Sequence, residues 1–226
     1  MPPLLFIHGA CSSGAIWVRQ RRHYPEARFP TLPALDVPAP DLIDAWADWL
    51  HFSIAAPRAV VGHSLGGAVA LSLARKYPED VLSLVLVGTA PNLAVSPRLL
   101  QKLEDQPQEA LADIAEWSLS ESAPLSLREA SRRQIQKVPP TQALKEFQAA
   151  NTFNAEAWLN RITPALAVVV GEDDLMTPPA LGRNFLRAWP TASYYEMAHA
   201  GHLVMIEKSR EFNRLLDDIL AAEIPS

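Results

Sequence analysis

The chain has 226 residues, 49% apolar and 20% charged, with a net charge of -5. This suits one globular domain, or one with a modest insertion, and excludes a compositionally disordered chain. The mild acidic balance gives no general attraction for nucleic acid or an anionic membrane, and a single cysteine, Cys11, excludes an intrachain disulfide and a cysteine-based zinc site. No apolar run is long enough to span a bilayer and the first residues lack the basic start of a secretion signal, so a cytoplasmic location is the expectation.

In chain order, Leu4-Leu5-Phe6-Ile7 is an apolar run stopped by His8-Gly9 and predicts a buried strand. Five prolines within 24–41 predict loop with at most one short strand. Residues 42–52 place apolar side chains at helical spacing, with Asp41 as a candidate cap. Ala59-Val60-Val61 predicts a second buried strand, then Gly62-His63-Ser64, then a small-residue helix over 66–77 that Pro78 closes. Leu84-Val85-Leu86-Val87, ended by Gly88, predicts the next strand, and this strand–helix–strand order is the pattern of a parallel sheet. From 91 to 163 strand-like runs vanish, and segments 97–105, 107–118, 126–137, 140–150 and 154–161 read as helices punctuated by prolines. Leu166 to Gly171 returns to a buried strand, 179–189 reads as a helix, 193–196 as a short strand and 209–222 as an amphipathic helix. The basic runs at 19–22 and at Arg132-Arg133 read as solvated faces.

The chemistry centres on Gly62-His63-Ser64-Leu65-Gly66. A serine hydroxyl is a poor nucleophile unless a base takes its proton. A tight turn between a valine-rich strand and a helix exposes the oxygen, glycines on either side relieve crowding, and the helix start aims its amides at an anion. The Leu65 N–H is one candidate donor to an oxyanion; a second should come from the end of another strand, where Ala10 follows His8-Gly9.

On these residues the chain resembles the α/β-hydrolase superfamily over nearly its whole length. His8-Gly9-Ala10-Cys11 with Trp17, joined to Gly62-His63-Ser64-Leu65-Gly66-Gly67, is similar to the small plant-type methyl esterases and hydroxynitrile lyases. Gly171-Glu172-Asp173-Asp174 with Thr177-Pro178 resembles the family's acid loop, and Gly201-His202 with Glu207 its histidine loop, in the family's order of Ser, Asp, His. The resemblance implies an α/β-hydrolase fold: a mostly parallel sheet of about six strands that lacks the usual first hairpin, built from residues 1–90 and 164–226, with 91–163 as a helical cap. It implies Ser64 as nucleophile, His202 as base and Asp174 as acid, with Asp173 and Glu172 as rivals for the acid and His199 the main rival for the base. His8 reads as structural, the His63 side chain is expected to point elsewhere, and His23 and His51 read as surface or packing residues.

The resulting expectation is hydrolysis of small to medium carboxylic esters through an acyl-enzyme, with no cofactor and no metal. The partner is a small-molecule ester; no nucleic acid or membrane is called for, and the sequence leaves the oligomeric state open. Cys11, Trp117, Phe147, Phe153 and Trp158 are candidate pocket residues. The same triad also serves thioesterases, C–C hydrolases, perhydrolases and hydroxynitrile lyases, the last wanting a cap lysine for which Lys102, Lys137 and Lys145 are available. A hydrolase-like small-molecule receptor is a further alternative.

Overall fold

The computed structural model describes residues 3–55 and 58–223, so residues 1–2, 56–57 and 224–226 of the expected core lie outside the described residues. The chain runs β1 (Leu4–Ile7), α1 (Val18–His23), α2 (Leu42–Ser53), β2 (Arg58–His63), α3 (Leu65–Lys76) and β3 (Val81–Val87). Four helices follow, α4 (Pro97–Asp105), α5 (Pro107–Trp117), α6 (Leu125–Ile135) and α7 (Pro140–Thr152). The last part comprises β4 (Ala165–Gly171), α8 (Pro179–Gly182), α9 (Phe185–Ala188), β5 (Ser193–Met197), α10 (Val204–Glu207) and α11 (Ser209–Glu223).

The five strands form one parallel sheet in the order β1-β2-β3-β4-β5. Strands β1 to β4 are largely apolar because both faces are covered, whereas the edge strand β5 is mostly half-exposed and carries Glu196. Leu5, Ile7, Val60, Leu84, Leu86, Leu166, Val168 and Val170 face α2 and α3 on one side. Leu4, Phe6, Val61, Val85, Val87, Ala167 and Val169 face α11 and the aromatic residues Trp17, Tyr24 and Phe29 on the other. All strand C-termini therefore point to one end of the sheet, where ligands of such folds bind.

The expected sixth strand is reduced to a single bridge: Arg28 lies beside Leu5, its N–H donating to the Leu4 carbonyl and its carbonyl accepting from Phe6. Pro25, Pro30 and Pro33 flank it, and a strand cannot propagate through residues that lack a donor. Other expectations need correction. Residues 154–161 hold only a 3-10 turn at Leu159–Arg161, because Asn154 is drawn into a bridge with Asn92. The helix expected over 179–189 is two short pieces, α8 and α9. Asp41 does stand at the start of α2 but makes no side-chain cap, its backbone already being helical. A 3-10 turn at Gly14–Trp17, capped by the Ser13 hydroxyl, and α1 were not foreseen.

Candidate active site

Ser64 sits between β2 and α3 with φ 54° and ψ -123°, a strained turn that lifts its side chain out of the sheet. The turn closes only because its flanks lack side chains. A Cβ on Gly62 would lie 2.5 Å from the Gly66 carbonyl oxygen, and one on Gly66 would lie 2.5 Å from the Ile7 and His8 carbonyl oxygens. Ser64 faces a cavity of about 1440 Å³ that His202, Ala10 and Leu65 also line. Leu65 opens α3, so its N–H has no partner in the helix ladder, and among the described residues the Ala10 N–H is likewise unpaired. No hydrogen bond joins Ser64 to His202; the two are brought together by the wall they share.

Asp174 is buried in the loop between β4 and α8, and every lone pair of its carboxylate is directed. Oδ1 accepts the Met176 and Thr177 N–H groups, both at 2.8 Å. Oδ2 accepts the Thr177 hydroxyl and His202 Nδ1, again both at 2.8 Å. Burial alone would raise this carboxyl, but the His202 charge, its hydrogen bond and the two Thr177 donors outweigh that and hold it below the usual range. An acceptor at Nδ1 fixes the proton there and leaves Nε2 of His202 able to take one.

The rivals are occupied elsewhere. Glu172 accepts the His199 N–H, and His199 is exposed with φ 54°. Asp173 is exposed and uses its N–H on the Ala200 carbonyl. His8 Nδ1 donates to the Gly9 carbonyl while Nε2 accepts the Leu32 N–H, which makes it a structural pin of the strand end. His23 pairs with Asp217 and His51 with Asp80. His63 does point away from the cavity's serine, but not idly: its Nε2 donates to the His202 carbonyl at 3.0 Å. Burial, then the neighbouring His202, push its pKa down to about 3, so this ring stays neutral. Glu207 adds a second hold on the same loop, accepting Gly201 N–H on one oxygen and Ser120 N–H on the other, at 2.9 and 3.0 Å. The Gly201–Glu207 half lies within the histidine-loop motif, but the His63 and Ser120 partners are 139 and 87 residues away and carry no local signal.

Of the expected pocket residues, Cys11, Trp117 and Phe147 line the cavity. Phe153 and Trp158 do not. They meet edge to face at 6.1 Å against the core on the α2–α3 side of the sheet, and the Arg75 guanidinium lies 4.8 Å over the Trp158 ring. All four helices between β3 and β4 supply lining, including Leu99 and Lys102 of α4, Ile114 of α5, Ile135 of α6 and Gln142 of α7. Burial pushes the Cys11 thiol well up, which removes it as a nucleophile. Lys102 is held by Asp113 at 2.6 Å, Lys145 reaches out to the Leu35 carbonyl, and Lys137 lines the cavity from an exposed position. No group of three metal-ligating side chains occurs among the described residues, and no described helix is long and apolar enough to cross a membrane.

Comparison with known proteins agrees with this architecture. Over 208 residues the chain is 27% identical to the pimeloyl-(acyl-carrier protein) methyl ester esterase of Chromobacterium violaceum, covering 86% of this chain and 80% of that one. It is 29% identical over 176 residues to RutD of Stutzerimonas stutzeri, to which a carbamate hydrolase activity is ascribed, and spans 66% of that protein's length. A solved thermophilic esterase superposes with a TM-score of 0.82 at 26% identity, over 98% of this chain and 90% of that one. The model of the alpha/beta hydrolase family matches residues 4–215, and the chain belongs to that family.

Proposed function

We propose that the chain is a serine hydrolase of small to medium carboxylic esters, with Ser64 as nucleophile, His202 as general base and Asp174 as its orienting acid. The observation that carries this reading is the buried Asp174–His202 pair opening onto the same cavity as a strained serine and two unpaired N–H groups. Ser64 attacks the ester carbonyl as His202 Nε2 takes its proton, and the imidazolium is stabilised by the Asp174 carboxylate. The Ala10 and Leu65 N–H groups hold the oxyanion, each such donor contributing about 10²–10³ in rate. His202 then protonates the leaving alcohol, and water repeats the sequence on the acyl-enzyme. Residues 91–163 act as the cap over a core of 1–90 and 164–226, and their apolar lining favours an acyl chain longer than acetyl. The test is hydrolysis of p-nitrophenyl acetate and butyrate by the wild type and Ser64→Ala. Turnover that is lost in the variant and faster on butyrate is expected; equal rates for the two proteins would refute the assignment.

A further inference from the structure

Cys11 stands where the sheet and the four helices meet. Among the described residues it is the only fully buried member from outside residues 99–147 of the apolar cluster that holds those helices together. Its backbone is left-handed, with φ 54°, a conformation that a side-chain-bearing residue keeps only when its surroundings impose it. The turn's N–H is partnered from α7. Glu146 Oε2 accepts the Cys11 N–H at 2.7 Å across 135 residues of chain, and Gln142 Nε2 donates to the other oxygen at 2.9 Å.

Glu146 is an unusual residue to find there. It is 3% exposed and forms no ion pair among the described residues. Burial pushes its carboxyl up, with the two hydrogen bonds opposing. An interior carboxyl without a cation is costly, so an apolar side chain would serve packing better. Glu146 does not line the cavity, whereas Gln142 and Cys11 do. What the carboxyl achieves is orientation. The Cys11 N–H and the Ala10 carbonyl belong to one rigid peptide plane, so a bond to that N–H fixes ψ of Ala10, whose own N–H is the unpaired donor in the cavity wall.

We propose that Glu146 is a positioning residue: from α7 it holds the Ala10-Cys11 turn so that the Ala10 N–H stays aimed at the developing oxyanion. The oxyanion donor thereby depends on the seating of the helical segment and, through Gln142, on what occupies the cavity. This inference rests on the esterase reading above.

The experiment compares wild type, Glu146→Gln and Glu146→Met, in each case with Ser64→Ala as the blank. The amide of Glu146→Gln keeps an acceptor for Cys11, whereas Glu146→Met fills similar space with none. Each protein is assayed for kcat and KM on p-nitrophenyl butyrate, and for hydrogen exchange of a peptide covering residues 9–13. A donor that is misdirected rather than removed is expected to lower kcat by about tenfold, below the 10²–10³ of outright removal. Glu146→Met should therefore lose about tenfold in kcat with KM within about twofold, and its Cys11 amide should exchange faster; Glu146→Gln should keep both near wild type. A folded Glu146→Met with wild-type kcat and wild-type exchange overturns the proposal, as does Glu146→Gln falling as far as Glu146→Met. If wild type itself does not hydrolyse esters, the esterase reading fails separately, and unchanged exchange in Glu146→Met still overturns the holding role. If Glu146→Met does not fold, Glu146→Asp, whose carboxyl is drawn back by one methylene, is held to the same thresholds.

Discussion

Replacing Asp174 by Asn changes one atom and tests the site most sharply. The Asn Oδ1 can still accept the Met176 and Thr177 N–H groups, so the loop keeps its turn. The new NH2 group would replace Oδ2, which now accepts Thr177 Oγ1 and His202 Nδ1. A donor there forces the Nε2–H tautomer on His202, and that ring can no longer take the serine proton. The loss in kcat should be about 10⁴, or about 5 kcal/mol of transition-state stabilisation. Stability should fall much less. Two charge-assisted bonds at about 1.5–3 kcal/mol each are at stake, offset by the lower cost of burying a neutral amide, for a net loss of about 1–3 kcal/mol. Because the Asp174 pKa is held down in the fold, its stabilisation is present above the unfolded value and disappears as pH falls through the folded one. The stability gap between wild type and Asp174→Asn should therefore narrow in acid. Ester-hydrolysis kinetics and urea unfolding at several pH values measure both effects. The reasoning fails if Asp174→Asn keeps kcat within tenfold of wild type, or if Asp173→Asn, on an exposed side chain, loses as much.

Three further outcomes follow from the same geometry. Glu146→Gln should gain stability relative to wild type as pH rises, because a carboxyl raised by burial stabilises the fold below its unfolded pKa and loses that contribution as it ionises; urea unfolding at pH 5 and pH 8 checks the sign. Gly171→Ala should cost about 2–4 kcal/mol and depress kcat, since its Cβ would meet the Gly201 and Ala200 carbonyl oxygens at 2.2 and 2.3 Å and push the histidine loop away; thermal unfolding and kcat report the two parts. Phe153→Ala should cost about 3–5 kcal/mol with KM unchanged, whereas Trp117→Ala should alter KM at a smaller cost in stability, a contrast that separates core from cavity wall.

How much of this could be read from residues alone depended on punctuation. Pro97, Pro107 and Pro140 open their helices at the first turn, so the expected starts of α4, α5 and α7 coincide with the observed ones. Strands β1 to β4 stand out as apolar runs because both their faces are buried, and glycines at 62, 88 and 171 lie where β2, β3 and β4 end. Where a signal was short, reading failed. The six residues of α1 carry three arginines and only one buried side chain, Gln20, and follow a 3-10 turn that has no period to detect. Asn154 to Arg161 has helical composition, yet its conformation is set by a bridge to Asn92 far upstream. The same limit applies at the site. Ser64, Asp174 and His202 stand in local motifs, but Glu146 looks like any polar helix position until the Cys11 N–H is placed against it.

The stretch joining β3 to β4 invites exchange, since lengthening a connection costs a domain little and the sheet's register does not pass through it. The contacts described above set terms for such a graft. A replacement segment must bring an acceptor to the Cys11 N–H, and it must return a backbone donor to Glu207 where Ser120 now stands. It must also run close over Gly201, whose missing side chain leaves room for the Ser120 amide at 2.4 Å from where a Cβ would sit. New specificity by transplantation is thus open only to donors that carry these fittings; a chimera lacking them would leave the Ala10-Cys11 turn without its α7 partner, and the His202 loop with its contacts to Asp174, His63 and Glu207 alone.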